Sequence, residues 1–194
     1  MKIIAGCARN AELLSPPDLG VRPTAVRSRK ALFDSIGAKM DGAAVLDLFS
    51  GSGALGLEAA SRGAAEILMI ELDPRHIPVI EQNIQIVQKT GAAAAITLIN
   101  ADVLDLPRYS KRISHADYIF ADPPYARSGE LFQNLLTKPR FREDFAGAQL
   151  FWEIPDTPGA AGAFINSPAL KNWQLREFAG TRFLIGTIAE PPLK

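Results

Sequence analysis

The 194-residue chain has one cysteine, Cys7, two histidines and no excess of charge, its 21 Lys and Arg being matched by 21 Asp and Glu. A single thiol excludes an internal disulfide framework and suits a reducing compartment. With zero net charge, bulk attraction alone would not hold a polyanion. No apolar run approaches the roughly 20 residues that would span a bilayer. The opening Met1-Lys2-Ile3-Ile4-Ala5-Gly6-Cys7 faintly resembles a lipoprotein cleavage box. Its apolar stretch, however, is far shorter than the roughly 7–15 residues of a signal core. A soluble, cytoplasmic, monomeric protein without a membrane partner is expected. His76, in a helical segment, and His115, in a polar loop, have no partner spaced for metal ligation or nucleophilic catalysis. Both read as surface residues, and no metal is expected. Cys7 reads as a small packing residue, and Trp152 and Trp173 as core or sheet-packing residues.

What is present suits a globular domain. Hydrophobic residues make up 47% and charged residues 22%, and a chain of this length can bury a core without staples. The charges are unevenly spread. Residues 1–40 hold seven basic residues (Lys2, Arg9, Arg22, Arg27, Arg29, Lys30 and Lys39) against three acidic ones (Glu12, Asp18 and Asp34). That surplus of four is offset by the remainder of the chain. Four of the bases fall between Arg22 and Lys30 with no acid among them. Such a cluster reads equally as a solvated helix face or as an edge that contacts phosphates.

The apolar pattern alternates strand and helix. Thr24 can cap a helix to about Lys39, with Leu32, Phe33 and Ile36 on its buried face. Residues 43–48 suit a buried strand, followed by a glycine-rich turn and a helix over 54–62. Strands follow at 67–71, 95–100, 118–121 and 149–153. Helices are expected from Asp73-Pro74 to about Lys89, with proline in the first turn, and near 131–137. Residues 173–178 and 182–188 flank Gly180 as an antiparallel hairpin. The expected fold is an α/β domain, with a mostly parallel sheet covered on both faces and ligands at the carboxyl ends of its strands. Residues 1–40 form a short N-terminal extension and 41–194 the main domain.

Gly51-Ser52-Gly53-Ala54-Leu55-Gly56 follows the first strand and matches a cofactor-binding glycine fingerprint. Glycines there let a ligand lie against the backbone near a helix N-terminus. The motif alone does not separate a nicotinamide dinucleotide from S-adenosylmethionine. Asp47, at the end of its strand, would repel a pyrophosphate and attract an ammonium. Glu71, ending the second strand, is placed to accept two ribose hydroxyls, and Asp102, just after the third, suits an adenine amine. Three acids at three successive strand ends favour S-adenosylmethionine.

The sharper signal is Asp122-Pro123-Pro124-Tyr125, directly after the fourth strand. Two prolines forbid helix and sheet pairing and make a rigid turn, which does not explain the flanking acid and aromatic. An exocyclic base amine is a poor nucleophile, because its lone pair is delocalised into the ring. The Asp122 carboxylate and the Pro123 carbonyl can accept its two hydrogens and stabilise the charge that develops. Pro124 fixes that carbonyl, and Tyr125 offers a face on which an extruded base can stack.

With Phe49-x-Gly51-x-Gly53, these residues resemble the Rossmann-like, seven-stranded amino-methyltransferases. Arg22-Pro23-Thr24, Arg27, Ala31-Leu32-Phe33, the block Leu46 to Ala59 and Ser61-Arg62-Gly63-Ala64 bring the chain closest to the RsmD-type 16S rRNA guanine-N(2) methyltransferases. The resemblance runs from about Ile3 to Ile188. It implies S-adenosylmethionine as cofactor, held by Asp47, Phe49, Gly51, Gly53, Glu71, Asp102 and Asp122. It also implies catalysis by Asp122, Pro123 and Tyr125, and contact with ribosomal RNA or an assembling small subunit through Arg22, Thr24, Arg27, Pro124 and Tyr125. Two departures fall in the substrate-contacting part. The segment Arg9-Asn10-Ala11-Glu12-Leu13-Leu14 is less basic than the family pattern, and Val26 and Lys30 stand where acids are usual.

Other functions account for less of the sequence. A DNA adenine-N(6) methyltransferase shares both motifs but would need a recognition region, and 69 residues follow Tyr125. Glutamine methyltransferases prefer Asn where this chain has Asp122. A nicotinamide-dependent oxidoreductase leaves the tetrapeptide unexplained. A non-catalytic binding module would not need Asp47, Glu71, Asp102 and Asp122 together.

Overall fold

The computed structural model describes residues 1–18, 23–157, 160–164 and 167–192. Seven strands form one sheet: β1 (Ala44–Asp47), β2 (Glu66–Glu71), β3 (Ala95–Asn100), β4 (Tyr118–Ala121), β5 (Gln149–Ile154), β6 (Leu170–Phe178) and β7 (Thr181–Ile188). Their order is β3-β2-β1-β4-β5-β7-β6. β1 to β5 pair in parallel, and β7 runs antiparallel to both β5 and β6. The seven-stranded, mostly parallel sheet with a C-terminal antiparallel hairpin is the architecture expected from the sequence.

The central strands are continuous apolar runs because helices cover both faces. Residue alternation divides them. Leu46, Leu68, Ile119 and Leu150 enter one core with Tyr109, Phe132, Phe141 and Trp152. Val45, Ile67, Phe120 and Phe151 enter the other with Phe33, Leu57 and Ile80. The helices α1 (Pro23–Ile36), α2 (Ala54–Ser61) and α3 (Ile77–Gln88) supply the second core. The helices α4 (Leu106–Tyr109), α5 (Ser128–Leu136) and α6 (Pro139–Asp144) supply the first.

The N-terminal stretch joins the second core through Ile3, Ala8 and Leu13. Among the described residues it carries one antiparallel bridge, Lys2 to Glu12. Buried Glu58 on α2 accepts the N–H groups of Ile4 and Ala5 at 2.8 and 3.1 Å. Gly6 is required beside it: at φ +82°, a Cβ would lie 1.7 Å from the Ser61 carbonyl oxygen. Arg29 is buried too. Its guanidinium donates to the Lys2 carbonyl at 2.7 Å and lies 3.9 Å from Glu58. Lys30 pairs with Asp34 at 2.5 Å. Two of the four clustered bases are thus engaged within the fold.

Several local expectations shift. α1 ends at Ile36 and continues as a 3-10 turn over Gly37–Met40. α3 begins at Ile77 rather than at Pro74, because the Asp73 carboxylate accepts the Arg75 N–H at 2.9 Å and folds residues 73–76 into a turn. Short α4 and α6 were not legible as helices. Cys7 is exposed rather than packed. Trp152 is wholly buried, whereas Trp173, on edge strand β6, is at the surface. Among the described residues, no helix is long and apolar enough to cross a membrane.

Candidate active site

Strand order reverses between β1 and β4, and a ligand crevice opens at the carboxyl ends of strands flanking such a point. A cavity of about 400 Å³ lies there, walled by Phe49 and Gly51 after β1, Glu71 ending β2, and Asp102 after β3. Asp122, Pro123, Pro124 and Tyr125 after β4 complete it. A second hollow adjoins it, sharing Glu71, Leu72, His76 and Pro124 as walls. The fold therefore gathers most of the candidate residues into one place.

Glu71 organises the wall. One carboxylate oxygen accepts the Gly51 N–H at 2.6 Å and the other the Asp73 N–H at 2.8 Å. Each oxygen keeps a second acceptor site. Asp102 holds its own turn by accepting the Leu104 N–H at 2.8 Å. Phe49 packs edge-on against Trp152, whose indole N–H donates to Ser128 at 3.0 Å. That hydrogen bond ties β5 to the first residue of α5, just after the tetrapeptide. The tetrapeptide ends in a 3-10 turn over Tyr125–Arg127, and the exposed Tyr125 donates its hydroxyl to Glu153 Oε1 at 2.6 Å.

Two of the cofactor candidates lie outside the cavity wall. Asp47 is fully buried beneath the glycine loop, where Oδ2 accepts the Gly56 N–H at 3.0 Å and Oδ1 has no partner. Gly53, at φ +81°, faces the core: a Cβ there would meet the Met69 methyl at 2.8 Å. Its glycine is required by packing, whatever binds above. Of the proposed substrate contacts, Pro124 and Tyr125 line the cavity and Arg27 is exposed on α1. Arg22 and the side chain of Thr24 lie outside the described residues.

Sequence reasoning passed over two side chains. Glu153 sits near the end of β5, next to β4, so it extends the pattern of strand-end acids by one strand. His76, read as a surface residue, is buried against Asp18 and Glu71 and lines the cavity. Asp18 comes from a distant part of the chain, and no spacing announces it.

A family model described as "Conserved hypothetical protein 95" matches residues 1–146. The chain belongs to this family, that of the RsmD-type methyltransferases. It is 34% identical over 125 residues to the ribosomal RNA small subunit methyltransferase D of Haemophilus influenzae, covering 64% of each chain. The match spans about two thirds of the length of such curated relatives. Among solved structures it resembles a hypothetical protein of Thermus thermophilus, with TM-score 0.69 and 28% identity over 98% of this chain and 99% of that one. It also shares its fold with Aeropyrum pernix fibrillarin in complex with S-adenosyl-L-methionine, with TM-score 0.62 and 14% identity over 83% and 76% of the two chains.

The residues of this RsmD-type methyltransferase fit S-adenosylmethionine. Glu71 presents two acceptors suited to vicinal hydroxyls, and apolar Phe49, Val103 and Leu131 line the same cavity. The acids Glu71, Asp102 and Asp122 favour a cationic sulfonium over a pyrophosphate.

Burial pushes the Asp47 carboxyl up from 3.8 to about 7, with the Gly56 N–H opposing the rise and the Glu71 charge adding to it. The folded state thus holds this proton more tightly than the unfolded chain does. The stability this contributes is fully present below about 3.8 and is lost as pH rises through about 7. Asp47→Asn keeps an oxygen for Gly56 and has no charge to bury. Its melting temperature is expected to gain on wild type as pH rises from about 4 to about 7 and to hold that gain above it. A difference that does not change with pH would contradict this.

Proposed function

We propose that the protein transfers a methyl group from S-adenosylmethionine to the exocyclic 2-amino group of a guanine in small-subunit ribosomal RNA. One observation carries this reading: Asp122, Pro123 and Tyr125 open onto the same cavity as Glu71 and Asp102. A base amine held by the tetrapeptide would then lie beside a cofactor held by the strand-end acids. The relatives' names support ribosomal RNA as the acceptor.

The bound cofactor supplies an electrophilic methyl on a sulfonium sulfur. The protein's part is positioning and charge. Tyr125, its ring exposed and its hydroxyl fixed by Glu153, offers a stacking surface for a base turned out of its helix. Asp122 and the Pro123 carbonyl accept the two amine hydrogens, which lets the nitrogen lone pair leave conjugation with the ring. Positive charge would develop on that nitrogen as it is methylated; the Asp122 carboxylate would stabilise it, accept the proton the nitrogen must lose and pass it to solvent. Alignment within the cavity supplies the rest of the acceleration. Arg27 on α1, with Arg22 ahead of it in sequence, would hold RNA phosphates.

The acceptor class is tested by offering methyl-labelled cofactor with undermodified small ribosomal subunits, with their deproteinised RNA and with duplex DNA. Label is expected in the ribosomal RNA of the first two. Label only in DNA would favour the adenine methyltransferase reading.

A further inference from the structure

We propose that His76 is a positioning residue that couples the N-terminal segment before α1 to the cofactor pocket, by bridging Asp18 and Glu71. The inference rests on the reading of Glu71 as the carboxylate that receives the cofactor's ribose.

Residues 13–18 run along α3 and are held at two points. At the first, buried Asn83 accepts the Leu14 N–H at 2.8 Å and donates to the Leu14 carbonyl at 2.9 Å. The same amide also donates to the Ser52 carbonyl of the glycine loop at 2.8 Å. At the second, the Asp18 carboxylate meets His76 Nε2 at 3.0 and 3.2 Å. Arg75 braces this contact, with its guanidinium 3.2 Å from Asp18 and also paired with Asp73. Asp73 itself lies 3.9 Å from His76 Nε2.

The other edge of the ring faces the pocket. His76 Nδ1 is 3.3 Å from Glu71 Oε1, is buried, and has no hydrogen-bond partner among the described residues. Glu71 in turn holds Gly51 and Asp73 by their N–H groups. A contiguous path therefore leads from Asp18 through one imidazole to Glu71 and the glycine loop. Asp18 lines neither hollow, so any effect it has on the cofactor passes through His76 or Arg75. With the ring clamped at Nε2, its Nδ1 edge backs the Glu71 carboxylate and limits the rotamers open to it. Without the clamp, Glu71 has more orientations to lose when it receives hydroxyls. By linkage, a cofactor on Glu71 must steady residues 14–18 by the same free energy.

S-adenosylhomocysteine affinity by calorimetry is the primary readout, on wild type, Asp18→Asn, His76→Phe and the double variant. Asp18→Asn changes an exposed group and is not expected to impair folding. Each single variant is expected to bind about tenfold more weakly, and the double variant no more weakly than the worse single. In turnover, the cofactor KM should rise while kcat at saturation holds. Hydrogen exchange at the Leu14, Ser15 and Asp18 amides should slow on adding S-adenosylhomocysteine in wild type and not in His76→Phe. His76→Gln, which restores only the reach to Asp18, should not recover affinity.

Wild-type affinity in Asp18→Asn, or losses that multiply in the double variant, would overturn the coupling while leaving the pocket reading intact. Failure of wild type to bind S-adenosylhomocysteine, or full binding by Glu71→Ala, would remove the pocket reading and this inference with it.

Discussion

Replacing Asp122 by alanine is expected to lower turnover about a thousandfold while leaving S-adenosylhomocysteine affinity within about threefold of wild type. The asymmetry follows from where the carboxylate sits. Asp122 stands at the end of β4, on the tetrapeptide side of the cavity, whereas Glu71 and Asp102 stand across it on β2 and after β3. Its proposed work falls on charge that exists only as the amine attacks, so its loss should appear in kcat and spare the binding of S-adenosylhomocysteine, which carries no sulfonium charge. Single-turnover kinetics with calorimetry on the same sample separate the two. Equal losses in both would make Asp122 a structural residue. Unchanged turnover would end the assignment of the tetrapeptide to amine activation.

The second large effect belongs to Glu71→Ala. Two hydrogen bonds from ribose hydroxyls to a charged acceptor contribute on the order of 1.5 kcal/mol each or more, so affinity should fall about a hundredfold. The same substitution strips acceptors from the Gly51 and Asp73 N–H groups, and the melting temperature should fall as well. Asp102→Ala is the control, because Asp102 supports only its own turn, at Leu104. It should cost about tenfold in affinity with little change in melting. If Glu71→Ala lost stability but kept affinity, the carboxylate would be a loop brace alone.

The features legible in the sequence are those that local chemistry dictates. Buried parallel strands must be apolar throughout, so β1, β2, β4 and β5 stood out. The Pro-Pro turn and the glycine loop allow few backbone conformations and carry polar residues at fixed offsets. Glu71 and Asp102 could be read as one wall because a parallel sheet brings strand ends together, whereas Asp47, read with them, lies outside it.

What escaped the sequence depends on partners far along the chain. Buried Glu58 looks like any helical acid until the N–H groups of Ile4 and Ala5 converge on it. Arg29 belongs to an apparently free basic cluster, yet it is drawn inward by the Lys2 carbonyl and Glu58. His76 is buried because Asp18 closes over it from a distant segment. Asp47 was legible as a strand-end acid but not as one sealed beneath the loop, since the side to which the carboxylate turns depends on the Gly56 N–H. Short α4 and α6 each open with a proline near a turn and are too brief to show a helical period.

The central claim is that the methyl group reaches the 2-amino group of guanine in small-subunit ribosomal RNA. The most direct measurement incubates undermodified small subunits with the protein and methyl-labelled S-adenosylmethionine, digests the RNA to nucleosides and identifies the labelled species by mass spectrometry against standards. N2-methylguanosine as the labelled product, absent with Asp122→Ala, is the result this account predicts. Label in N6-methyladenosine, or no label in RNA from a protein that binds S-adenosylhomocysteine, would contradict it.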